Sequence, residues 1–276
     1  MPLRIVHGLA SIWGSVLFYL PNRTRNTTLK NLSACFPTLS NVEISRLAKE
    51  SLTSTASTVM EMGKSWMLPI DKTYSLVTQV EGLAELRQAV NGKQGVILLV
   101  PHLSNWEIFG MYVCQNITST FMYQPPKLPA LDRLLQRTRS RGGISLAPAD
   151  RKGVSLVVKA LQRGEMVGIL PDQVPNDEGG EFANFFGKQA LTMTLVSKLL
   201  NRSQAKVFCG FVVRLSKSEG FKLTIREADQ SIYDKDLITS VGGLNKSVED
   251  CVHMAADQYQ WEYKRFRRQP DGKSFY

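Results

Sequence analysis

Along the chain, apolar residues recur first at helical and then at strand spacing. In residues 3–20, Ile5, Leu9, Ile12, Trp13, Val16 and Leu20 fall three or four apart and Pro21 ends the pattern, which predicts an amphipathic helix. Arg4, His7, Ser11 and Ser15 interrupt it, whereas a spanning helix wants about 20 predominantly apolar residues. The helix is therefore expected to pack on the domain or to lie in a bilayer interface. Residues 40–67 predict a second helix, with Ser40 and Glu43 as a capping box, Ile44, Leu47, Ala48, Leu52, Val59 and Met62 as its apolar side, and Pro69 as its stop. Beyond Pro69 the period alternates. Residues 94–100, 166–170, 206–213 and 221–226 are short apolar or alternating runs that predict strands, and residues 154–161 predict a helix between them. The pattern predicts an α/β sheet layered with helices, in one domain over residues 1–276 whose residues 1–70 form a helical N-terminal part. Chemistry in such sheets sits at the carboxyl ends of strands.

Composition narrows the partners. With 43% hydrophobic and 21% charged residues the chain is neither disordered nor low-complexity. Lys and Arg number 34 against 24 Asp and Glu, a formal charge of +10, which favours anionic partners: nucleic acid, anionic lipid or an acidic carrier protein. Cys35, Cys114, Cys209 and Cys251 lie far apart with no metal-ligand spacing, and are read as reduced thiols.

Pro101-His-Leu-Ser-Asn-Trp-Glu107 follows the first strand of the alternating region. On a continuous helix His102 and Glu107 would diverge, but a strand, a turn and a helix starting near Ser104 would let the carboxylate reach back to the imidazole. Glu107 would then orient His102 while His102 takes a proton from a hydroxyl, and free amides at the helix start would meet an oxyanion. Ser104 and Glu107 also have the spacing of a capping box, in which both would be structural. The residues by themselves leave both open, with the strand-end position of His102, one of three histidines, favouring chemistry.

Val100-Pro-His-Leu-Ser-Asn-Trp-Glu107 resembles the H-x4-D/E motif of the lysophospholipid and glycerol-phosphate acyltransferases, and its surroundings resemble the late acyltransferases of lipid A biosynthesis. The likeness runs through Asn31-Leu-Ser-Ala-Cys-Phe-Pro37, then Tyr123-Gln-Pro with Leu131, Asp132 and Arg139, then Pro171-Asp-Gln173 with Phe186-Gly187 and Thr192. It closes on Gln258-Tyr-Gln-Trp261, Lys264-Arg-Phe266 and Pro270-Asp-Gly272. The resemblance implies a mixed sheet layered with helices, of glycerol-phosphate acyltransferase type. It implies transfer of a fatty acyl group from acyl carrier protein to a glycolipid hydroxyl at the cytoplasmic face of a bacterial inner membrane, with no metal and no tightly bound cofactor. By position, His102 is the implied base, Glu107 its partner, Arg139 a binder of acceptor phosphate or of the reacting carbonyl, and Asp172 and Gln173 further lining. Family members carry another apolar span before the helix matching residues 3–20, so a peripheral or monotopic attachment is expected here. Ser104 stands where glycine is common and Val174 where an acid is frequent, which bears on the choice of acceptor.

Three clusters compete with this reading. Arg133, Arg137, Arg139 and Arg141, with Arg151 and Lys152, suit a phosphorylated lipid or an acidic carrier, although a solvated face explains at least two of the first four. Lys264, Arg265, Arg267 and Arg268 interleave with Tyr259, Trp261, Tyr263 and Phe266, a pattern that serves nucleic-acid stacking or a membrane interface. An acyltransferase on a different lipid acceptor is the alternative among enzymes, and a non-enzymatic basic membrane- or nucleic-acid-binding protein the alternative from another class, while nucleic acid is not expected as a partner of the acyltransferase. Asp150, Asp172 and Asp177 match no metal loop and are read as surface carboxylates.

Overall fold

The computed structural model describes residues 2–276. Its N-terminal part is helical: α1 (Leu3–Tyr19), α2 (Arg23–Cys35), α3 (Asn41–Met67) and the short α4 (Ile70–Tyr74). There follow β1 (Val77–Glu81), α5 (Leu83–Asn91), β2 (Val96–Leu99), α6 (Trp106–Val113), β3 (Ser119–Tyr123), α7 (Pro129–Arg141), β4 (Ile144–Pro148), α8 (Arg151–Gln162) and β5 (Met166–Ile169). A hairpin of β6 (Gly180–Phe185) and β7 (Lys188–Met193) leads to α9 (Leu195–Leu200), β8 (Lys206–Arg214), β9 (Phe221–Glu227) and α10 (Leu237–Met254).

Seven strands form one sheet in the order β1-β9-β8-β2-β5-β3-β4, with β8 and β9 antiparallel and every other neighbour parallel. This is the expected mixed sheet layered with helices. Parallel neighbours need crossovers, and the helices that provide them cover both faces, so β2 is buried along its whole length. Its side chains divide at period two: Val96 and Leu98, with Val100 just beyond the strand, join a core with Ile108 and Phe109 of α6, while Ile97 and Leu99 join a core with Val157 of α8 and Val248 of α10. Each such fully buried side chain contributes about 1.5–3 kcal/mol. Phe109 packs where Gly210 of β8 has no side chain; a Cβ there would lie 2.5 Å from the Phe109 ring. That contact seats α6 against the sheet.

Two of the N-terminal helices, α1 and α3, correct the hydrophobic pattern in one respect. In α1 the side packed inward is Val6, Ala10 and Gly14, and a Cβ on Gly14 would lie 2.4 Å from Thr53 Cα of α3. The larger residues that defined the pattern, Ile5, Leu9, Ile12, Trp13, Val16 and Leu20, are exposed, Ile12 by 63% and Trp13 by 56%. In α3 the Ser40–Glu43 capping box forms as expected, and Ile44, Ala48 and Leu52 are buried. Further along the same helix Val59 is 66% exposed, while Ser54, Thr58, Glu61 and Ser65 are buried. Small and polar residues face the protein there because they meet polar partners rather than a core.

Candidate active site

Strand pairing builds the site. Leu99 of β2 is in register with Ile169 of β5, and Val100 N–H continues the ladder to Ile169 O at 2.9 Å. His102 and Asp172 each lie three residues beyond that pair, so two parallel strands deliver them side by side at their carboxyl ends. The Asp172 carboxylate accepts from the His102 backbone N–H and from His102 Nδ1, each at 2.8 Å. Burial pushes the Asp172 carboxyl up, but the charge of the His102 ring and the two hydrogen bonds outweigh it and hold the pKa below the ordinary value. An ionised Asp172 requires the proton on Nδ1, which leaves Nε2 as the basic nitrogen. Nε2 faces the Gln173 side chain at 3.2 Å, and the Trp106 ring meets the imidazole edge-on at 4.8 Å between centroids.

Glu107 and Arg139 are brought together, but not onto the imidazole. Glu107, buried in the first turn of α6, accepts from Arg139 Nη2 at 2.6 Å and Nε at 3.2 Å, a two-pronged pair between α6 and α7. The expected Glu107–His102 dyad is thus replaced by His102–Asp172, because the neighbouring strand presents Asp172 directly to Nδ1. The Ser104–Glu107 capping box is absent as well. Asn105 caps α6, its Oδ1 accepting from Ile108 N–H at 3.1 Å, and Glu107 is the second helical residue rather than the third. Ser104 takes φ +52°, the left-handed turn that redirects the chain from β2 into α6.

The turn is braced by the far end of the chain. Ser104 N–H donates to Gln258 O at 2.8 Å and Gln260 N–H to His102 O at 3.1 Å, so the Gln258-Tyr-Gln-Trp261 stretch runs beside the His102 turn. Asn31 of α2 holds this stretch in place, its Nδ2 donating to Trp261 O at 2.7 Å and Tyr263 O at 2.8 Å. Tyr259, Trp261 and Phe266 are core residues, and Arg265 is buried with Nη1 donating to Leu191 O and Nη2 to Thr192 Oγ1, both at 2.6 Å. Stacking on nucleic acid is therefore excluded for those three rings. Of the other basic cluster, Arg133 and Arg137 are exposed, while Arg141 ties α7 to the end of α3 through Leu68 O and Trp66 O. Asp150 caps α8 and Asp172 serves His102; the Asp177 side chain lies outside the described residues.

Two carboxylates near the turn were not anticipated. Glu61 of α3 accepts from Asn105 Nδ2 at 3.1 Å, and Glu262 accepts from Thr55 Oγ1 at 3.0 Å, with burial pushing the Glu262 carboxyl up. The signal for Glu61 was the polar stripe Ser54, Thr58, Glu61, Ser65 at helical spacing.

The turn thus presents a strand-end imidazole whose Nδ1 is held by a buried carboxylate and whose Nε2 faces the Gln173 side chain. Residues 1–268 match the family model described as bacterial lipid A biosynthesis acyltransferase, and the chain belongs to that family. It is 27% identical over 273 residues to the lipid A biosynthesis lauroyltransferase of Escherichia coli K12, covering 99% of this chain and 88% of the relative. To the palmitoleoyltransferase of the same organism it is 28% identical over 277 residues, 99% of this chain and 89% of the relative. A lipid A biosynthesis acyltransferase of Haemophilus influenzae Rd is 25% identical over 279 residues, 100% of this chain and 86% of the relative.

Proposed function

We propose that this protein transfers a fatty acyl group from acyl carrier protein to a hydroxyl of a lipid A precursor or a related glycolipid, with His102 as general base. The observation that supports the reading is the double grip of Asp172 on His102, which occupies Nδ1 and leaves Nε2 as the ring nitrogen for proton abstraction. Nε2 takes the hydroxyl proton, the oxygen attacks the thioester carbonyl carbon, and a tetrahedral oxyanion forms. Collapse breaks the carbon–sulfur bond, the leaving thiolate takes the proton from the imidazolium, and the products are the ester and the free carrier thiol. Asp172 stabilises the imidazolium in between. Gln173, whose amide meets Nε2, gives way to the acceptor hydroxyl. Glu107 holds the Arg139 guanidinium by Nε and Nη2, leaving Nη1 for an acceptor phosphate or the reacting carbonyl.

Attachment is to the cytoplasmic face of the inner membrane. No single helix among the described residues is long and apolar enough to cross a bilayer. The exposed Ile5, Leu9, Ile12, Trp13 and Val16 of α1, flanked by exposed Arg4, Arg23 and Lys30, suit a helix lying in an anionic interface. The test is incubation of the purified protein with acyl-loaded carrier protein and lipid A precursor, followed by mass spectrometry of the lipid. A mass gain of one acyl chain that His102→Ala abolishes supports the reading. No gain with any chain length, from folded protein, overturns it.

A further inference from the structure

Glu61 makes four hydrogen bonds to three other elements. Its Oε1 accepts from Arg214 Nε at 2.5 Å and from His7 Nε2 at 2.6 Å; its Oε2 accepts from Arg214 Nη2 at 2.9 Å and from Asn105 Nδ2 at 3.1 Å. Arg214 ends β8, His7 belongs to α1, and Asn105 caps α6 beside the His102 turn. Arg214 is tied further to Ser54 Oγ and Thr58 Oγ1 of α3 at 3.0 Å, and Thr58 Oγ1 donates to Ser104 O at 3.3 Å. His7 is held from behind by Ser218 Oγ at 2.8 Å on Nδ1, which gives Nε2 the proton for Glu61. Burial pushes the Glu61 carboxyl up, but the Arg214 guanidinium and the bonds from His7 and Asn105 hold it below the usual range.

A buried carboxylate with both oxygens doubly engaged leaves each partner one position. Asn105 feels this most directly: its Oδ1 takes Ile108 N–H while its Nδ2 is held by Glu61, so the amide plane is set from two sides. Asn105 follows Ser104, which supplies the left-handed turn, and precedes Trp106, whose ring lies against His102. We infer that Glu61 is a positioning residue for acyl transfer, fixing the His102 turn through Asn105 and tying it through His7 to the surface helix α1. The inference rests on the transferase reading of the site. Glu61 touches neither the His102 ring nor Asp172, so its part is in the placement of the His102 turn rather than in proton transfer.

Asn105→Ser separates the two jobs of Asn105, because serine caps a helix well but has no amide to donate to Glu61. His7→Phe removes the same carboxylate's link to α1 at similar ring size. The expected result for Asn105→Ser is a somewhat lowered melting temperature, because a buried carboxylate loses a donor, with an unchanged acceptor KM and, where the variant is folded, a kcat lower by about 10- to 100-fold, the range that misplacing reacting groups produces. Hydrogen exchange at the backbone amides of Ile108 and Phe109, which needs no substrate, should quicken in Asn105→Ser and, to a smaller degree, in His7→Phe. A kcat that falls only in proportion to a lost folded fraction, or unaltered exchange and kcat in both variants, would overturn the inference. Failure of the wild-type protein to transfer any acyl chain bears instead on the function, and the exchange measurement still judges the link between Glu61 and the turn.

Discussion

Asp172 grips His102 twice, at the ring Nδ1 and at the backbone N–H, both at 2.8 Å. One bond orients the imidazole and the other fixes the turn that carries it. The Nδ1 partner is thus a carboxylate just beyond the adjacent parallel strand, not the residue five positions along the chain.

Asp172→Asn should lower kcat by about 10²-fold or more, because an amide stabilises the imidazolium poorly and its own N–H competes for the ring. The same substitution should flatten the acid limb of stability. The folded pKa lies below the ordinary 3.8, so the contribution of Asp172 is present above that value and is lost as pH falls through the depressed one. Urea midpoints at a series of pH values below about 5 check this.

The Glu107–Arg139 pair should behave as a unit. Glu107→Gln or Arg139→Gln should each cost about 1–3 kcal/mol, since each leaves a charged group in a largely buried place without its two-pronged partner. The double variant Glu107→Gln with Arg139→Gln should cost less than the sum, and its activity should stay low. A double-mutant cycle on melting, run beside acceptor KM, measures both.

Ser104→Gly should raise the melting temperature by about 2 °C. A left-handed residue with a Cβ costs about 1–2 kcal/mol, partly offset by the greater unfolded-state freedom of glycine. The Ser104 hydroxyl is buried with no protein partner among the described residues, so its removal costs no hydrogen bond. Scanning calorimetry of the variant gives the answer.

Ile12→Ser with Trp13→Ser should weaken binding to anionic vesicles by about 100-fold at unchanged melting, each side chain being worth about 1.5 kcal/mol or more to an apolar surface. High salt should release part of the bound wild-type protein by screening the basic flanks over about 10 Å at 0.1 M. Co-flotation with vesicles at two salt concentrations measures both effects.

Gly14→Val should cost about 1–3 kcal/mol by forcing α1 off Thr53 of α3. Proteolysis near residue 20 should accelerate with it.

Local signals in the sequence determined much of this protein. The capping box of Ser40 and Glu43, the stop at Pro69 and the apolar runs of β2, β5, β8 and β9 depend on neighbours within a few residues, and each appears where its pattern placed it. His102 at a strand end was legible for the same reason. Three further strands, β1, β3 and β4, and the β6–β7 hairpin carry weak patterns, and their pairing partners lie far along the chain. Only the tertiary structure decided which carboxylate serves the imidazole. Asp172 lies 70 positions from His102, and sheet register alone makes them neighbours. The same holds for Glu61: its partners come from α1, α6 and β8, so a helix whose C-terminal half turns polar residues inward makes sense only when those three elements are assembled around it. Periodicity identifies that a helix has two sides; what each side meets is settled by distant segments, and for α1 and the end of α3 it was the small and polar side that the protein covered.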